Sequence, residues 1–475
     1  MTGVVMAAPL VSAFLAGLLR HPGPRRAARA SAAIFTALLP FAVVGEVDAL
    51  SLIFCVLVCV LSAAATIFSI GSFPVDWGVG KAAWSRKPVY FVLLGAFTSA
   101  MLVAVLADNF ATLWLGISAT TVATAFLVGF NGESAALEAA WKYLVLCSVG
   151  LALALLGIFC LAHAVSAAGL RSGDTTTWSL IARRPVVVDL GITRFAFALM
   201  FIGFGTKAGL VPMHAWLPDA HSKAPAPISA LLSGLLTTCA SYGVIRTLGV
   251  ASVLGAGDLF RAFLMWFGAI SIFIAGLLML SQRDLKRFLA YSTIEHMGIV
   301  ALGLGFGAPW GTLGALFHLI AHAFVKPGAF FATGLLQREY GTTQLGALHG
   351  VLRKGATGHF MLSSLTGLAG MPPFPLFFSE LVIMYAGVRA HAWGPLIAGM
   401  IGLLLAFVAI TRVALDMLAG TLRAGDALRE KKPADRMEIT ATAFVLACAC
   451  AIGVTPWIPF GAHWFALGRI LEYLR

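Results

Sequence analysis

The chain is 475 residues long, 60% hydrophobic and only 11% charged. Soluble domains carry roughly 25% charged side chains and need a polar coat at any size, which excludes a soluble enzyme, a secreted disulfide scaffold or a disordered tail as the main body. The net charge of +12 reads as the Lys/Arg enrichment of cytoplasmic membrane-protein loops, so a lipid bilayer is the expected surrounding and no nucleic-acid partner is expected.

A membrane-crossing helix needs about 20 apolar residues, and a chain with about 60% of its length embedded supplies about 14 of them. The expected fold class is therefore an all-α polytopic membrane protein with about 14 transmembrane helices. The first apolar stretch, 3–19, has no basic residue ahead of it and is followed by Arg20, Arg25, Arg26 and Arg29. A signal peptide carries its charge in front, so this stretch reads as a retained span with the N-terminus outside. Further spans fall near 31–45, 49–71, 89–106, 110–129, 141–165, 194–212, 227–249, 259–280, 289–306, 312–336, 359–388, 395–417 and 438–460. Alternating sides places Lys81, Arg86, Lys87, Arg283, Lys286, Arg287, Arg353, Lys354 and the run from Arg423 to Arg436 inside, with both termini outside. The outer loop 166–193 is itself modestly basic and runs against this bias.

Three apolar stretches carry interruptions. The segment from Lys207 to Pro227 contains Pro212, Pro218 and Pro225, Lys326-Pro327-Gly328 lies within a span, and so does Met371-Pro372-Pro373-Phe374-Pro375. Proline removes a backbone donor and clashes with the preceding turn. At membrane depth this is tolerated where protein or a hydrated cavity satisfies the freed groups, and such broken helices point to an ion or substrate path.

A charge at the bilayer centre costs at least about 2.5–3.5 kcal/mol, so each one needs a reason. The candidates are Lys207, Glu295, His296, His318, His322, Lys326 and Glu380. Arg412 and Asp416 form an i,i+4 pair near the cytoplasmic end, where snorkelling accounts for them. His318, His322 and Lys326 are spaced four apart and share one helix face. Two histidines at that spacing could bind zinc or be satisfied core residues, but no third ligand is evident, and Leu319 stands where a metalloprotease helix has glutamate. A proton relay is the favoured reading, because histidine exchanges protons near neutrality and a desolvated lysine can also do so. His214, Asp219 and His221 follow Lys207 and offer a polar access path, to which His296 also contributes. The seven cysteines, Cys55, Cys59, Cys147, Cys160, Cys239, Cys448 and Cys450, all lie in apolar runs without a C-x-x-C pair, so no metal or redox cofactor is expected.

The strings GTKAGLVPMHAWLPDAHSKAPAPISALLSG, LKRFLAYSTIEHMGIV, HLIAHAFVKPGAFFATG and LAGMPPFPLFFSE resemble the proton-translocating, antiporter-like membrane subunits. That superfamily includes the large membrane subunits of respiratory complex I, the Mrp sodium/proton antiporters and group 4 membrane-bound hydrogenases. LEAAWKYLVLCSVG and APAPISALLSG are most similar to component F of hydrogenase-4 and formate-hydrogenlyase-like complexes. The likeness runs from about Ala49 to about Arg412.

The resemblance implies 14 core helices with two inverted five-helix repeats, giving an N-terminal segment 1–88, half-channels over 89–258 and 259–417, and a final segment 418–475. It implies proton transfer by Lys207 on the seventh span, by Lys326 with His318 and His322 on the eleventh, and by Glu380 on the twelfth. Glu295 matches a carboxylate of hydrogenase-type members. Where many members carry a fifth-span glutamate four residues after a tryptophan, this chain has Ser118 after Trp114. Serine cannot supply a charge, so Lys207 is expected to spend more time neutral and the first half-channel to be weakened or differently gated. The short tail Gly461–Arg475 also favours a hydrogenase-type or inner-position subunit over one with a long lateral helix.

The implied function is proton conduction, driven by redox work in peripheral partner subunits, within a complex containing other membrane subunits. Protons suit lysine and histidine better than sodium does. The alternatives are a stand-alone or Mrp-like cation/proton antiporter, an ion-coupling subunit of an inorganic-carbon uptake complex, and a scaffold that has lost conduction.

Overall fold

The computed structural model describes residues 2–18, 22–72, 81–170, 175–183, 187–419 and 434–454. Arg20, the stretch 420–433 and the tail Gly461–Arg475 lie outside the described residues, as do the side chains of Arg25, Lys81, Arg86, Arg353 and Lys354. Within them the chain is helical: α1 (Thr2–Leu18), α2 (Pro22–Leu38), α3 (Ala49–Ser72), α4 (Lys81–Val105), α5 (Phe110–Val128), α6 (Ser134–Ala167), α7 (Trp178–Arg183), α8 (Leu190–Ala208), α9 (Trp216–Lys223), α10 (Ala226–Leu231), α11 (Thr237–Val253), α12 (Gly257–Met279), α13 (Leu285–Phe306), α14 (Trp310–Tyr340), α15 (Ala356–Leu368), α16 (Pro375–Arg389), α17 (Trp393–Ala419) and α18 (Arg436–Val454). A helix satisfies its backbone internally, which long apolar runs in lipid require. Among the described residues, 12 helical stretches are long and apolar enough to cross a membrane. The protein is an all-helical, multi-pass membrane protein.

Polar residues set the helix ends. Asn109 accepts from Thr112 N at 2.7 Å to cap α5, Asp189 from Ile192 N at 2.9 Å to cap α8, and Asp284 from Arg287 N at 3.0 Å to cap α13. Gly209 ends α8 with φ of +85°, a left-handed conformation glycine adopts without strain.

Burial separates central helices from peripheral ones. In their most apolar windows, Ala226–Val253 is 100% buried and α13 and α14 are each 94% buried, against 33% for α17 and 39% for α6. Most side chains on these central stretches are therefore covered by protein, which is where ionisable groups can be held. Small residues let neighbours approach closely: a Cβ on Gly157 of α6 would stand 2.8 Å from Met200 Cγ of α8.

Of the three expected interruptions, two are breaks. Residues 209–215 separate α8 from α9, and 369–374 separate α15 from α16. The third is not a break, because α14 runs through Lys326-Pro327-Gly328 from Trp310 to Tyr340. The irregularity is shared with its neighbour. Residues Leu232–Leu236, between α10 and α11, form a π-helical turn. Gly234 in that turn lies against Pro327, where a Cβ would stand 2.5 Å from Pro327 Cγ. The proline ring occupies space that the glycine leaves, so α14 is accommodated by its partner rather than interrupted.

Contacts between loops show which of them share a face. Asn109 pairs with Thr177, and Arg246 is bound to Asp48, on one side. On the other, Asp284 pairs with Gln344, Asp219 bonds Arg287, and Arg26 bonds Asp435.

Candidate functional site

Lys207 sits in the last turn of α8, with no exposed surface. Its Nζ donates to Tyr143 OH at 2.6 Å and to Thr121 Oγ1 at 2.9 Å. The ring of Tyr143 lies 4.5 Å away and that of Trp216 5.7 Å away, both within cation–π range. No carboxylate oxygen among the described residues comes within 4.0 Å of this ammonium. Ser118 is half-buried one turn before Thr121, its Oγ without a hydrogen-bond partner. Asp108 is elsewhere, accepting from Ser179 Oγ at 2.7 Å.

In the second half, α13 and α14 bring their ionisable groups together. Glu295 accepts from Ser292 Oγ at 3.3 Å, and its Oε2 lies 3.8 Å from His296 Nε2. His296 Nδ1 and His318 Nε2 are 3.1 Å apart, and His318 Nδ1 is 2.9 Å from Ser379 Oγ. Ser379 donates to Leu376 O at 2.7 Å. That bond gives the series a direction, because a carbonyl only accepts. Ser379 therefore accepts from His318 Nδ1–H, His318 Nε2 accepts from His296 Nδ1–H, and the free nitrogen left over is His296 Nε2, facing Glu295. His322 packs beside His296 with ring centroids 5.3 Å apart, and both its ring nitrogens lack a hydrogen-bond partner. Lys326, fully buried one turn on, donates to Leu289 O at 3.0 Å.

Glu380 is half-buried at the start of α16, against the break. Gly370 makes room for it: a Cβ there would stand 2.5 Å from Glu380 Oε2. Glu295 and Glu380 line one cavity of about 210 Å³ with Leu368, Ala369, Leu403 and Phe407. Two carboxylates from separate helices thus share one space.

The access-path residues divide. His214 is half-buried with Nδ1 unpartnered. His221 is fully buried, stacked on Phe330 at 5.1 Å with both ring nitrogens unpartnered. Asp219 instead bonds Arg287 Nη1 at 2.9 Å and lies 3.6 Å from Lys142 Nζ at the protein's edge. Arg412 and Asp416 are an exposed i,i+4 pair at 4.0 Å. Lys286, read from sequence as a loop charge, is buried and donates to Ala224 O at 3.1 Å. Sequence reasoning also missed Ser379, Tyr143 and Thr121, and it missed Glu438, which is buried and paired with Arg338 between α18 and α14. Among the described residues, no group of three or more His, Cys, Asp or Glu is placed to hold a metal ion. Cys55, Cys59, Cys147 and Cys239 are buried, while Cys160, Cys448 and Cys450 are half-buried.

Residues 107–406, which include every candidate named from α5 to α17 apart from Arg412 and Asp416, match the NADH:quinone oxidoreductase/Mrp antiporter transmembrane family. The chain belongs to that family. It is 32% identical over 374 residues to a hydrogenase-4 component F homolog of Methylacidiphilum infernorum, covering 77% of this chain and 76% of the relative. NADH-quinone oxidoreductase subunit N of Desulforudis audaxviator is 31% identical over 59% of this chain and 55% of its own length.

Solved structures share the antiporter-family fold at low identity. A chain of the archaeal membrane-bound sulfane sulfur reductase superposes with a TM-score of 0.83 at 21% identity, over 96% of this chain and 94% of its own. One from the Mrp complex of Dietzia gives 0.79 at 17%, over 100% and 96%. One from respiratory complex I of Thermus thermophilus gives 0.76 at 21%, over 96% and 98%. All three come from multisubunit membrane complexes.

Proposed function

We propose that this antiporter-like subunit conducts protons within a membrane-bound oxidoreductase complex, of hydrogenase-4/formate-hydrogenlyase or NADH-quinone oxidoreductase type. Redox work in peripheral partner subunits would drive it, and the chain would perform no redox chemistry itself. The observation that carries this reading is the directed series from Glu295 through His296 to His318, buried beside Lys326 and opening on the cavity shared with Glu380. A proton delivered from the Glu295 side enters at His296 Nε2, and the Nδ1 hydrogen of His296 passes to His318 Nε2. His318 then holds the charge, because Ser379 has already given its hydrogen to Leu376 O. The unpartnered nitrogens of His322 and His221 are sites that buried water commonly satisfies, which extends a hydrated path towards the α9 segment.

On this reading the 12 long stretches, α1 and the interrupted α15–α16 pair make fourteen crossings, with two inverted repeats over 89–258 and 259–417 and both termini outside the cytoplasm of a prokaryotic inner membrane. Lys207 and Glu380 each stand beside a proline-containing break, one in each repeat. The assignment to a hydrogenase-4-type complex is supported by the component F relative, which matches over most of both chains.

The test uses everted membrane vesicles from the native host, with proton uptake read by a pH-sensitive dye. The chain-dependent flux is the difference between the parent and a deletion strain. Lys326→Ala is expected to abolish it, and a parent-level flux with the chain present at normal abundance would overturn the reading. Energising in turn with hydrogen, formate, NADH and an imposed sodium gradient separates a redox-driven subunit from a cation/proton antiporter. Flux driven by the sodium gradient alone would favour the latter.

A further inference from the structure

The surroundings of Lys207 contain an arrangement that the proposed relay does not use. Thr124 Oγ1 donates to Thr120 O at 2.6 Å, so its hydrogen is committed. Tyr143 OH and Thr124 Oγ1 are 2.5 Å apart, and the hydrogen between them must therefore come from the tyrosine. Thr121 likewise gives its hydrogen to Ile117 O at 3.2 Å. Both oxygens that touch Lys207 Nζ thus turn lone pairs towards it, and no hydroxyl hydrogen points at the nitrogen. The two aromatic faces of Tyr143 and Trp216 add further negative potential. Every member of this set is uncharged.

We propose that Tyr143 is a positioning residue for Lys207: oriented by Thr124, it holds the ammonium in this chain as a carboxylate would, without introducing a charge. Tyr143 holds the lysine rather than relaying its proton, because the hydrogen-bond series beyond it ends on the Thr120 carbonyl. A neutral cradle also cannot be drained by a neighbouring cation, as a shared carboxylate can. The place from which a carboxylate could hold Lys207 is visible. Ser118 lies three residues before Thr121, on the same face of α5, with a buried oxygen that has no partner.

The inference rests on the reading of Lys207 as a proton-transfer group, and its test separates the two. In the same everted vesicles, Tyr143→Phe keeps the ring and removes the oxygen. It is expected to lower chain-dependent flux about tenfold at unchanged abundance, the effect of losing one hydrogen bond to a charged group. Thr124→Val, which only frees the orientation of the tyrosine hydroxyl, is expected to lower it less. Ser118→Glu placed in the Tyr143→Phe background is expected to restore most of the flux, a rescue that repairing a packing defect would not give. Lys207→Met serves as the reference. Parent-level flux in Tyr143→Phe with none in Lys207→Met overturns the role of Tyr143 and leaves the relay standing. Parent-level flux in Lys207→Met overturns both. Loss in Tyr143→Phe that Ser118→Glu does not rescue assigns the tyrosine to packing and overturns the inference.

Discussion

Each hydrogen bond in the His296–His318–Ser379 series is fixed by the next, and the last is fixed by a backbone carbonyl. Removing the anchor should therefore matter more than its size suggests. Ser379→Ala leaves His318 Nδ1–H without its acceptor and frees the imidazole to adopt the other tautomer, which reverses the series. Chain-dependent proton flux is expected to fall about fivefold, the scale of one neutral hydrogen bond, while Ser379→Thr keeps the parent value. Equal flux in all three proteins would show that the direction of the series is immaterial. Such an anchor is hard to read from sequence. Lys207, Glu295, His318, His322 and Lys326 stand out because a charge or imidazole in an apolar run is costly. A membrane-helix hydroxyl is not, since it can bond the carbonyl four residues back, as Thr66, Ser69 and Thr98 do here. Nothing in the pattern separates those from Thr121 or Ser379. Asp219, read from sequence as part of a polar route towards one membrane face, bonds Arg287 and lies near Lys142.

Among the elements, proline positions were legible and their consequences were not. Whether a proline breaks a helix depends on what faces it, and that partner can be far away in sequence. Pro372 and Pro373 end up between two helices, whereas Pro327 stays inside α14, packed against Gly234. The π-helical turn and the proline are thus one joint between the α10–α11 segment and α14, next to Lys326 in sequence. Filling it should destabilise the whole. A Cβ at Gly234 would also stand 3.1 Å from Ala323 O, and neither a proline ring nor backbone can swing aside. Gly234→Val is expected to cost about 1–3 kcal/mol, the usual scale of overpacking, and to lower the melting temperature of the detergent-purified chain. Gly346→Ala is the control, since its Cβ would meet nothing within 4 Å. Equal melting of both variants and the parent would show that the joint has slack.

At the scale of the whole molecule, two independent signals bear on which side faces the cytoplasm. The first is the Lys/Arg bias of the loops, which was readable from the chain but incomplete, because the outer loop 166–193 is basic and Lys286 proved to be buried. The second is geometric. The Asn109–Thr177 and Asp48–Arg246 contacts tie one set of loops together, and Asp284–Gln344, Asp219–Arg287 and Arg26–Asp435 tie the other. Geometry thus fixes which loops go together, and charge then needs to supply only one choice for all of them. Because Arg283 and Arg287 belong to the second set, the positive-inside rule predicts that set to face the cytoplasm. Alkaline phosphatase, which is active only when exported, should then be active when fused after Ala256, in the first set, and inactive when fused after Gly132, in the second. The reverse pattern would invert the molecule. Activity at both positions would contradict the alternation itself, since three crossings, α6, α8 and the stretch Ala226–Val253, separate the two sites and put them on opposite faces.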